Sequence, residues 1–417
     1  MLFLYLFQIH FNCLSSLEFD DCPIQWRMET DYLFWTVKKS PLPEPLLTIA
    51  SLSDPLPGAL GQPGTKRLLG NRKIDMGWQN GFLIGLGAWI EKGRWMGFES
   101  NFFLLPRKSQ KQSVHTSGEP GSLNIAVPIF DVTGLWGLNG VPGEAIFILP
   151  GPLFGPGFEG RFSLKISSRL QGVELNAIIN FANLSTISFD FLGGFRWLQL
   201  RESLSFAGQT AALPNSSIAE GFYNFRDGLL TNNNFFGAQI GLKACYSREK
   251  FGLMSFAKVA AGPMNQNIRI RGTSRTSDGN LFYSTKNTAN RFLSGGIFAQ
   301  PTNHGLQRQS CFAAAFEAGT KLFFRLTESF EIGLGYNFLG VTSIARPGDQ
   351  IDRKINPTRT ALAEASRESV GIGPTVPVLF GSSAAAPLPF GSKRPKVKRC
   401  LSNFWVQGLT ISLDLKF

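Results

Sequence analysis

The residues of this 417-residue chain that could do chemistry are charged side chains set at alternate positions among apolar ones. Asp414 and Lys416 alternate in this way with Leu413 and Leu415. A period of two is typical of a strand whose two faces meet different surroundings. Charges of both signs on one enclosed face could select ions or pair with one another. The positions of this kind, predicted to face an interior, are Arg27, Glu29, Asp31, Glu91, Glu99, Glu174, Asp190, Arg196, Lys243, Lys258, Glu317, Lys321, Glu331, Asp414 and Lys416.

Catalysis and metal binding have little support in the sequence. The three histidines are His10, His115 and His304, and only His304 has a nearby loop serine, Ser310, with which a serine hydrolase could be built. The five cysteines contain no C-x-x-C pair, so neither a zinc site nor a disulfide framework is indicated. Gly-x-Gly strings occur, but no helix follows them, which argues against a dinucleotide site. We therefore predict no enzyme, no catalytic residue, no cofactor and no metal.

The composition favours aromatic-rich strands. Charged residues make up 17% of the chain, whereas soluble domains usually carry about 25%. The 38 phenylalanines and 45 glycines suit strands joined by tight turns better than helices. No run of eighteen apolar residues follows residue 17, which excludes a polytopic helical membrane protein.

Alternation with period two recurs along the whole chain. Apolar residues, many of them aromatic, occupy one parity, and glycine, asparagine or charged residues occupy the other. Two single strands, at residues 26–34 and 405–417, are expected to pair and close the sheet. The predicted hairpins join residues 82–90 with 96–104, 173–181 with 187–197, 236–246 with 251–259, and 312–324 with 330–338.

The connections alternate between turns of a few residues and long loops, predicted at residues 38–79, 106–166, 202–234, 263–310 and 341–402. An outer-membrane barrel has this arrangement, with short periplasmic turns and long extracellular loops. We predict an all-β, antiparallel transmembrane β-barrel of 10 to 12 strands with periplasmic termini. Twelve is the preferred count, because residues 123–130 and 145–149 could add a pair. A soluble β-sandwich is the alternative, but so many inward aromatic side chains would overfill its layer of about 10 Å.

The two ends of the chain carry separate predictions. Residues 1–24 include an apolar run of signal-peptide size, but no Lys or Arg precedes Arg27, so a buried first strand or a misplaced start is the alternative. Residues 25–417 are expected to form a single outer-membrane barrel domain. Phe417 ends a strand whose apolar face also carries Ile411, Leu413 and Leu415, a pattern that the barrel assembly machinery reads as a signal. This machinery and the outer-membrane lipids are therefore predicted partners.

Several strings resemble a known family. They include DYLFWTVKKSPLPEPLLT, LGGFRWLQLRESL, GGIFAQPTNHG, the specific piece RPGDQIDR at residues 346–353, and the terminal FWVQGLTISLDLKF. In this order they resemble the seventh of the putative beta-barrel porin families. The resemblance implies an outer-membrane barrel with an uncharacterised substrate and no catalytic residues to carry over.

The net charge of +12 is concentrated outside the predicted interior. The interior positions hold six basic and nine acidic residues, which leaves a charge of +15 for the rest of the chain. We expect basic extracellular loops that meet phosphates of the outer leaflet or collect anionic solutes. Plain solvated surface charge is the alternative, and no nucleic acid is predicted as a partner. The clearest basic tract, residues 392–399, contains Lys393, Arg394, Lys396, Lys398 and Arg399.

The predicted function is a porin-like passive channel for small solutes or ions in the bacterial outer membrane. A barrel of ten or twelve strands is narrow, so a small pore or none is expected. The alternative is a non-conducting surface barrel, an adhesin or an envelope scaffold, that acts through its long loops.

Overall fold

The structure, a computed structural model, describes residues 24–90, 95–137, 140–152, 155–216, 221–276, 291–363 and 391–417. In this part of the chain the elements are almost all strands, with two 3-10 helices at Pro347–Gln350 and Pro357–Arg359. In chain order the strands are β1 (Gln25–Val37), β2 (Ser40–Ala50), β3 (Lys66–Ile74), β4 (Trp78–Trp89), β5 (Met96–Thr116), β6 (Asn124–Ala126), β7 (Pro128–Asp131), β8 (Gly143–Ile146), β9 (Phe158–Asn183), β10 (Ile187–Ala212), β11 (Phe222–Arg248), β12 (Phe251–Thr276), β13 (Arg291–Leu293), β14 (Gly305–Arg325), β15 (Phe330–Ala345), β16 (Lys354–Ile355) and β17 (Leu401–Lys416).

Ten strands close into an antiparallel ring in the order β1, β4, β5, β9, β10, β11, β12, β14, β15 and β17. The last strand pairs with the first, with Tyr32 opposite Ile411. The backbone N–H of Phe417 donates to the carbonyl of Trp26 at 2.9 Å, and the N–H of Trp26 donates back at 3.2 Å. Closure leaves no unpaired strand edge in lipid. The predicted all-β barrel is confirmed.

The preferred count of twelve strands is wrong, because the ring holds ten. Residues 123–130 and 145–149 instead contribute to β6, β7 and β8, which belong to two small sheets formed by the loops. One sheet has the order β3-β2-β6, and the other has the order β16-β7-β8. Strands of three or four residues are too short to cross a bilayer, which requires about nine to eleven.

The outer face of the ring carries an apolar belt. On β17, Leu409 and Ile411 are 44% and 53% exposed, whereas Thr410 and Ser412 between them are buried. On β11 the exposed apolar side chains run from Phe236 to Tyr246. Ten residues of tilted strand span about 25 Å, the height of the lipid-facing band of outer-membrane barrels. No helix in the described ranges is both long and apolar enough to cross a membrane.

The strands on one side of the barrel continue well beyond this belt. Residues 202–234 were predicted as a loop, but β10 and β11 occupy most of them and are joined by residues 213–221 alone. The predicted loops at 106–166 and 263–310 are likewise partly strand. The prediction is wrong there because the apolar residues move to the opposite parity above the belt. There the apolar residues, such as Phe162 and Leu164 on β9, face inward, and the outward positions are polar.

The described parts of the loops fold into one end of the barrel and build a hydrophobic core there. Leu47 of β2, Ile129 of β7 and Ile355 of β16 are completely buried in this core. The rings of Phe206 on β10 and Phe298 in a loop lie 6.0 Å apart. The loop end of the barrel is therefore a packed core.

The first prediction concerns the lipid-facing belt. Replacing Ile411 by Arg places a cation at mid-strand in the hydrocarbon and should lower the free energy of unfolding by about 2 to 4 kcal/mol. Leu334→Arg, on the neighbouring strand opposite Ile411, should act alike. The measurement is urea unfolding of the protein refolded in lipid vesicles. Ser310→Arg, on the exposed face of β14 above the belt, is the control and should cost less than about 1 kcal/mol. Equal costs at the two heights would contradict the placement of the belt.

Candidate functional site in the barrel interior

At the level of the belt, the interior is crossed by ion pairs centred on Glu174 of β9. Its carboxylate lies 2.6 Å from the guanidinium of Arg196 and 2.6 Å from the Nζ atom of Lys258. Arg196 also pairs with Glu317, and Lys243 lies 3.0 Å from Glu99. We call these residues the Glu174 cluster; they are Glu99, Glu174, Arg196, Lys243, Lys258 and Glu317. The cluster joins strands on opposite sides of the ring.

A second group, the Asp414 cluster, consists of Arg27, Glu29, Lys321 and Asp414. The Nζ atom of Lys321 lies 2.6 Å from Glu29 and 2.8 Å from Asp414. Arg27 lies 3.0 Å from the same Asp414. This group ties β1, β14 and β17 together across the junction that closes the ring.

Of the remaining predicted interior residues that the structure describes, Glu331 and Lys416 form ion pairs, whereas Asp190 and Asp31 do not. Glu331 pairs with Lys416 at 2.5 Å and with Arg325 at 3.0 Å, and Asp190 accepts a hydrogen bond from Asn180 at 2.7 Å. Asp31 is buried beside a cavity of about 60 Å³. Glu91 lies outside the described residues. Within the described residues, the predicted positions therefore all lie in the barrel interior. Their role in solute passage stays a prediction.

These interior side chains are shielded from water. Arg196 is 3% exposed, and Glu174 and Lys258 are each 7% exposed. Side chains that line an open aqueous pore would be wet. The cavity of about 60 Å³ among them has room for only a few water molecules. The belt-level interior is therefore a packed polar layer.

Above this layer, a buried ion pair holds the loops to the wall. Arg346 follows β15, and its Nε and Nη2 atoms contact the two carboxylate oxygens of Glu202 on β10 at 2.6 and 2.7 Å. Both residues are about 1% exposed. This two-pronged geometry is among the strongest for an arginine and a carboxylate. Further along the same loop, Arg353 lies 2.6 Å from Glu144 of β8.

A second anchor holds the loop that precedes β14. Asp227 of β11 is completely buried and accepts hydrogen bonds from the backbone N–H groups of Ile297, Phe298 and Ala299 at 3.0 to 3.2 Å. A Cβ atom at Gly296 would approach an Asp227 oxygen to 1.9 Å, so only glycine fits there. The string GGIFAQPTNHG is therefore a loop shaped around one carboxylate.

The structure does not assemble the one hydrolase candidate. The Nε2 atom of His304 accepts a hydrogen bond from the backbone N–H of Gly272 at 2.8 Å, and burial lowers the pKa of its ring below the usual range. Ser310 lies on the exposed outer face of β14. Within the described residues no hydrogen bond joins this pair. His304 thus serves as a neutral acceptor that positions its loop.

The basic tract at residues 392–399 is partly folded into the loops. Arg394 lies 2.8 Å from Asp352, and Lys398 pairs with Glu44 of β2. Lys393 and Arg399 remain exposed. The tract is therefore less free to meet anions than its sequence predicts.

Glu202, Asp227 and Arg346 were missed as site residues by sequence reasoning. Asp227 does alternate with the inward Tyr223, Phe225 and Leu229, so the signal is present, but at the parity opposite to that of the lipid belt. Arg346 lies in the string RPGDQIDR and has no local sequence signal that points to Glu202, 144 residues away.

The fold and this interior define a transmembrane β-barrel of the outer-membrane type whose lumen is filled by ion pairs and folded loops. The chain belongs to the family described as Putative beta barrel porin-7 (BBP7), whose family model matches residues 26–374. The family resemblance seen in the sequence is confirmed. No curated protein matches the chain.

Three solved structures resemble the chain over nearly its whole length. The outer membrane protease OmpT from Escherichia coli is 10% identical, with 97% of this chain and 99% of that chain covered and a TM-score of 0.38. A Pseudomonas aeruginosa FadL homologue is 8% identical, with coverage of 95% and 90% and a TM-score of 0.21. The P. putida toluene transporter TodX gives the same identity, coverage and TM-score. At such scores the likeness carries no argument about activity.

The second prediction tests the Glu174 cluster. Glu174→Gln removes one charge from a buried set and should lower the free energy of unfolding by about 3 to 5 kcal/mol. The double variant Glu174→Gln with Lys258→Met should lose less, because Arg196 keeps Glu317 and Glu99 keeps Lys243. Urea unfolding in vesicles measures both. Equal losses in the single and double variants would contradict charge pairing as the cause.

The third prediction concerns pH. Because burial lowers the pKa of His304, the folded protein binds this proton more weakly than the unfolded chain does. The stability that the neutral ring contributes is complete above about pH 6.5 and is lost as the pH falls through the lower, folded pKa. Amide exchange of Gly272 and residues 295–304 should therefore accelerate between pH 7.5 and 5 after correction for intrinsic rates.

The control for this pH effect is His304→Gln, which keeps an acceptor but does not titrate. The carboxylates, Asp227 among them, are common to both proteins, so the difference between the two isolates His304. An identical pH response in both proteins would contradict the assignment.

Proposed function

We propose that the protein is a surface barrel of the bacterial outer membrane that is closed to solutes in this conformation and acts through its extracellular end. The observation that carries the proposal is the burial of the charged interior side chains at the level of the belt. In a pore wide enough for solutes, Arg196, Glu174 and Lys258 would be exposed to water. No catalytic step is part of the proposal.

Two independent barriers support a closed lumen. The first is the layer of ion pairs, and the second is the loop core above it, held by the pair of Arg346 with Glu202 and by Asp227. A passive channel for small solutes, the first expectation from the sequence and the sense of the family name, requires both barriers to move. The outer-membrane lipids and the barrel assembly machinery, reading Phe417, are proposed partners in placing the barrel.

Conductance of the purified, refolded protein in a planar bilayer under a salt gradient tests the proposal. We expect a folded protein, shown by a heat-dependent change in gel mobility, that gives no discrete current steps. Steps with a defined reversal potential would overturn the closed barrel and establish the channel.

The fourth prediction uses a variant that loosens the loop core. Glu202→Gln leaves Arg346 buried beside a neutral partner, so the loops should detach more often and bursts of current should appear. Glu44→Gln is the matched control, because it removes a similar carboxylate partner of Lys398 at a partly exposed site. Bursts in neither variant, with both folded, would show that the Glu202 pair does not gate the lumen.

A further inference from the structure

The outer wall above the apolar belt is strongly basic. On β9 the outward positions pass from Leu175, Ile179 and other apolar residues in the belt to Arg169, Lys165 and Arg161 above it. On β12 the outward positions above the belt also carry several arginines, whereas β5, β10, β11 and β14 carry fewer basic residues among uncharged ones. Among the described residues of these six strands, Glu159 is the single acidic residue at an outward position above the belt. This surface, which we call the basic wall, differs from the tract at 392–399 because its charges stand on regular strands.

The strand register sets basic side chains beside one another. Arg169 lies directly opposite Arg201. The same row of cross-strand neighbours, which we call a rung, continues through Asn232 and Asn267 to Arg308 on β14. Lys111 lies directly opposite Lys165. Like charges in direct cross-strand contact are destabilising. Each such pair lowers the stability of the sheet modestly, and an anion that lies against the pair would offset this cost.

Neighbouring protein groups do not neutralise these charges. Arg169, Arg201, Lys111 and Lys165 form no ion pair with any residue that the structure describes, and all four are exposed. Arg169 donates to Gln171 at 2.7 Å, an uncharged partner. This contrasts with the interior, where almost every charge has a counter-charge. Among the described residues, these four cations of the wall therefore have no acidic partner and are available to bind anions from outside the chain.

The height of the wall identifies the source of the anion. On β10 the outermost apolar side chain of the belt is Trp197, and Arg201 follows two same-face positions later. Four residues of strand tilted by about 40° rise about 10 Å. The headgroup zone occupies the outer 5 to 8 Å or so on each side of the bilayer, and arginine side chains extend toward it along the wall.

A groove lies higher on the wall. His115 lies directly opposite Arg161, and the two border a groove of about 700 Å³ whose lining also includes Arg226 and Arg275. Because Arg161 is about 20 Å further from the belt than Arg169 on the same strand, this groove lies above the headgroup zone and is not part of the lipid contact.

We propose that the basic wall binds the phosphate groups of phosphorylated glycolipids in the outer leaflet. The lipid chains then lie along the apolar belt, and the headgroup phosphates lie against Arg169 and Arg201, the basic pair nearest to the belt. The inference uses the placement of the barrel in the outer membrane but not its closed lumen. A conducting barrel would therefore leave it standing.

The test compares the wild-type protein with the double variant Arg169→Gln and Arg201→Gln, which changes the pair nearest to the lipid. The probe is diphosphorylated lipid A, titrated against the detergent-refolded barrel and followed by native mass spectrometry. We expect the variant to bind at least tenfold more weakly. Lys393→Gln with Arg399→Gln, which removes exposed charges of the 392–399 tract, should bind as the wild type does.

Stability provides a second readout that a purely structural role would not produce. In neutral detergent the double variant should unfold at higher urea than the wild type, because it no longer holds two like charges side by side. With diphosphorylated lipid A present, the order should reverse. A variant that is weaker in both conditions would overturn the proposal, since the residues would then be structural.

Two further arms separate the sources of phosphate. Lipid A without its phosphates should give little protection, and millimolar inorganic phosphate should not replace the lipid. Equal protection by inorganic phosphate would show a free-anion site and overturn the lipid assignment. Equal protection by the dephosphorylated lipid would show that the acyl chains, and not the wall, determine binding.

Discussion

The number of strands in the ring constrains the rest of the molecule. Ten strands enclose a space between that of an eight-stranded barrel, which side chains fill, and that of an open sixteen-stranded porin. Long inward side chains such as Arg196 and Glu174 reach one another across such a space. Because an unpaired charge in a narrow, dry interior is very costly, most of these side chains pair with a counter-charge there. The ion-pair layer follows from the width of the ring.

The interior is filled by different side chains at two heights, ion-paired polar ones at the belt and apolar ones above it. At the height of the lipid the outer face must be apolar, so the polar side chains turn inward and pair. Above the lipid the outer face meets water and headgroups, and the apolar side chains turn inward instead. Loops supply the matching apolar surface, with Leu47, Ile129 and Phe298 buried against the wall. Along the same strands, the apolar side chains therefore face outward at the belt and inward above it.

This reversal explains what the sequence could and could not predict. The sequence predicts the strands of the belt and their outward faces because contact with lipid requires an apolar residue at every second position, as around Ile411. The same strands above the belt were read as loops, since Phe162 and Phe225 occupy the other parity. The partners of the interior charges could not be foreseen either. Glu29 lies 292 residues from Lys321 in sequence, and Glu202 lies 144 residues from Arg346, so no local pattern connects them.

The closing seam between β1 and β17 has a consequence for biogenesis. Nearly the whole chain separates the two strands of the seam, and the Asp414 cluster inside it also requires β14. Such a high contact order makes folding slow, because the entropy of loop closure must be overcome before distant contacts form. A nascent fragment that lacks β17 has an open strand edge and unpaired interior charges. Closure of the ring must therefore wait for the end of the polypeptide, and until then the apolar belt and the interior charges lack their final surroundings.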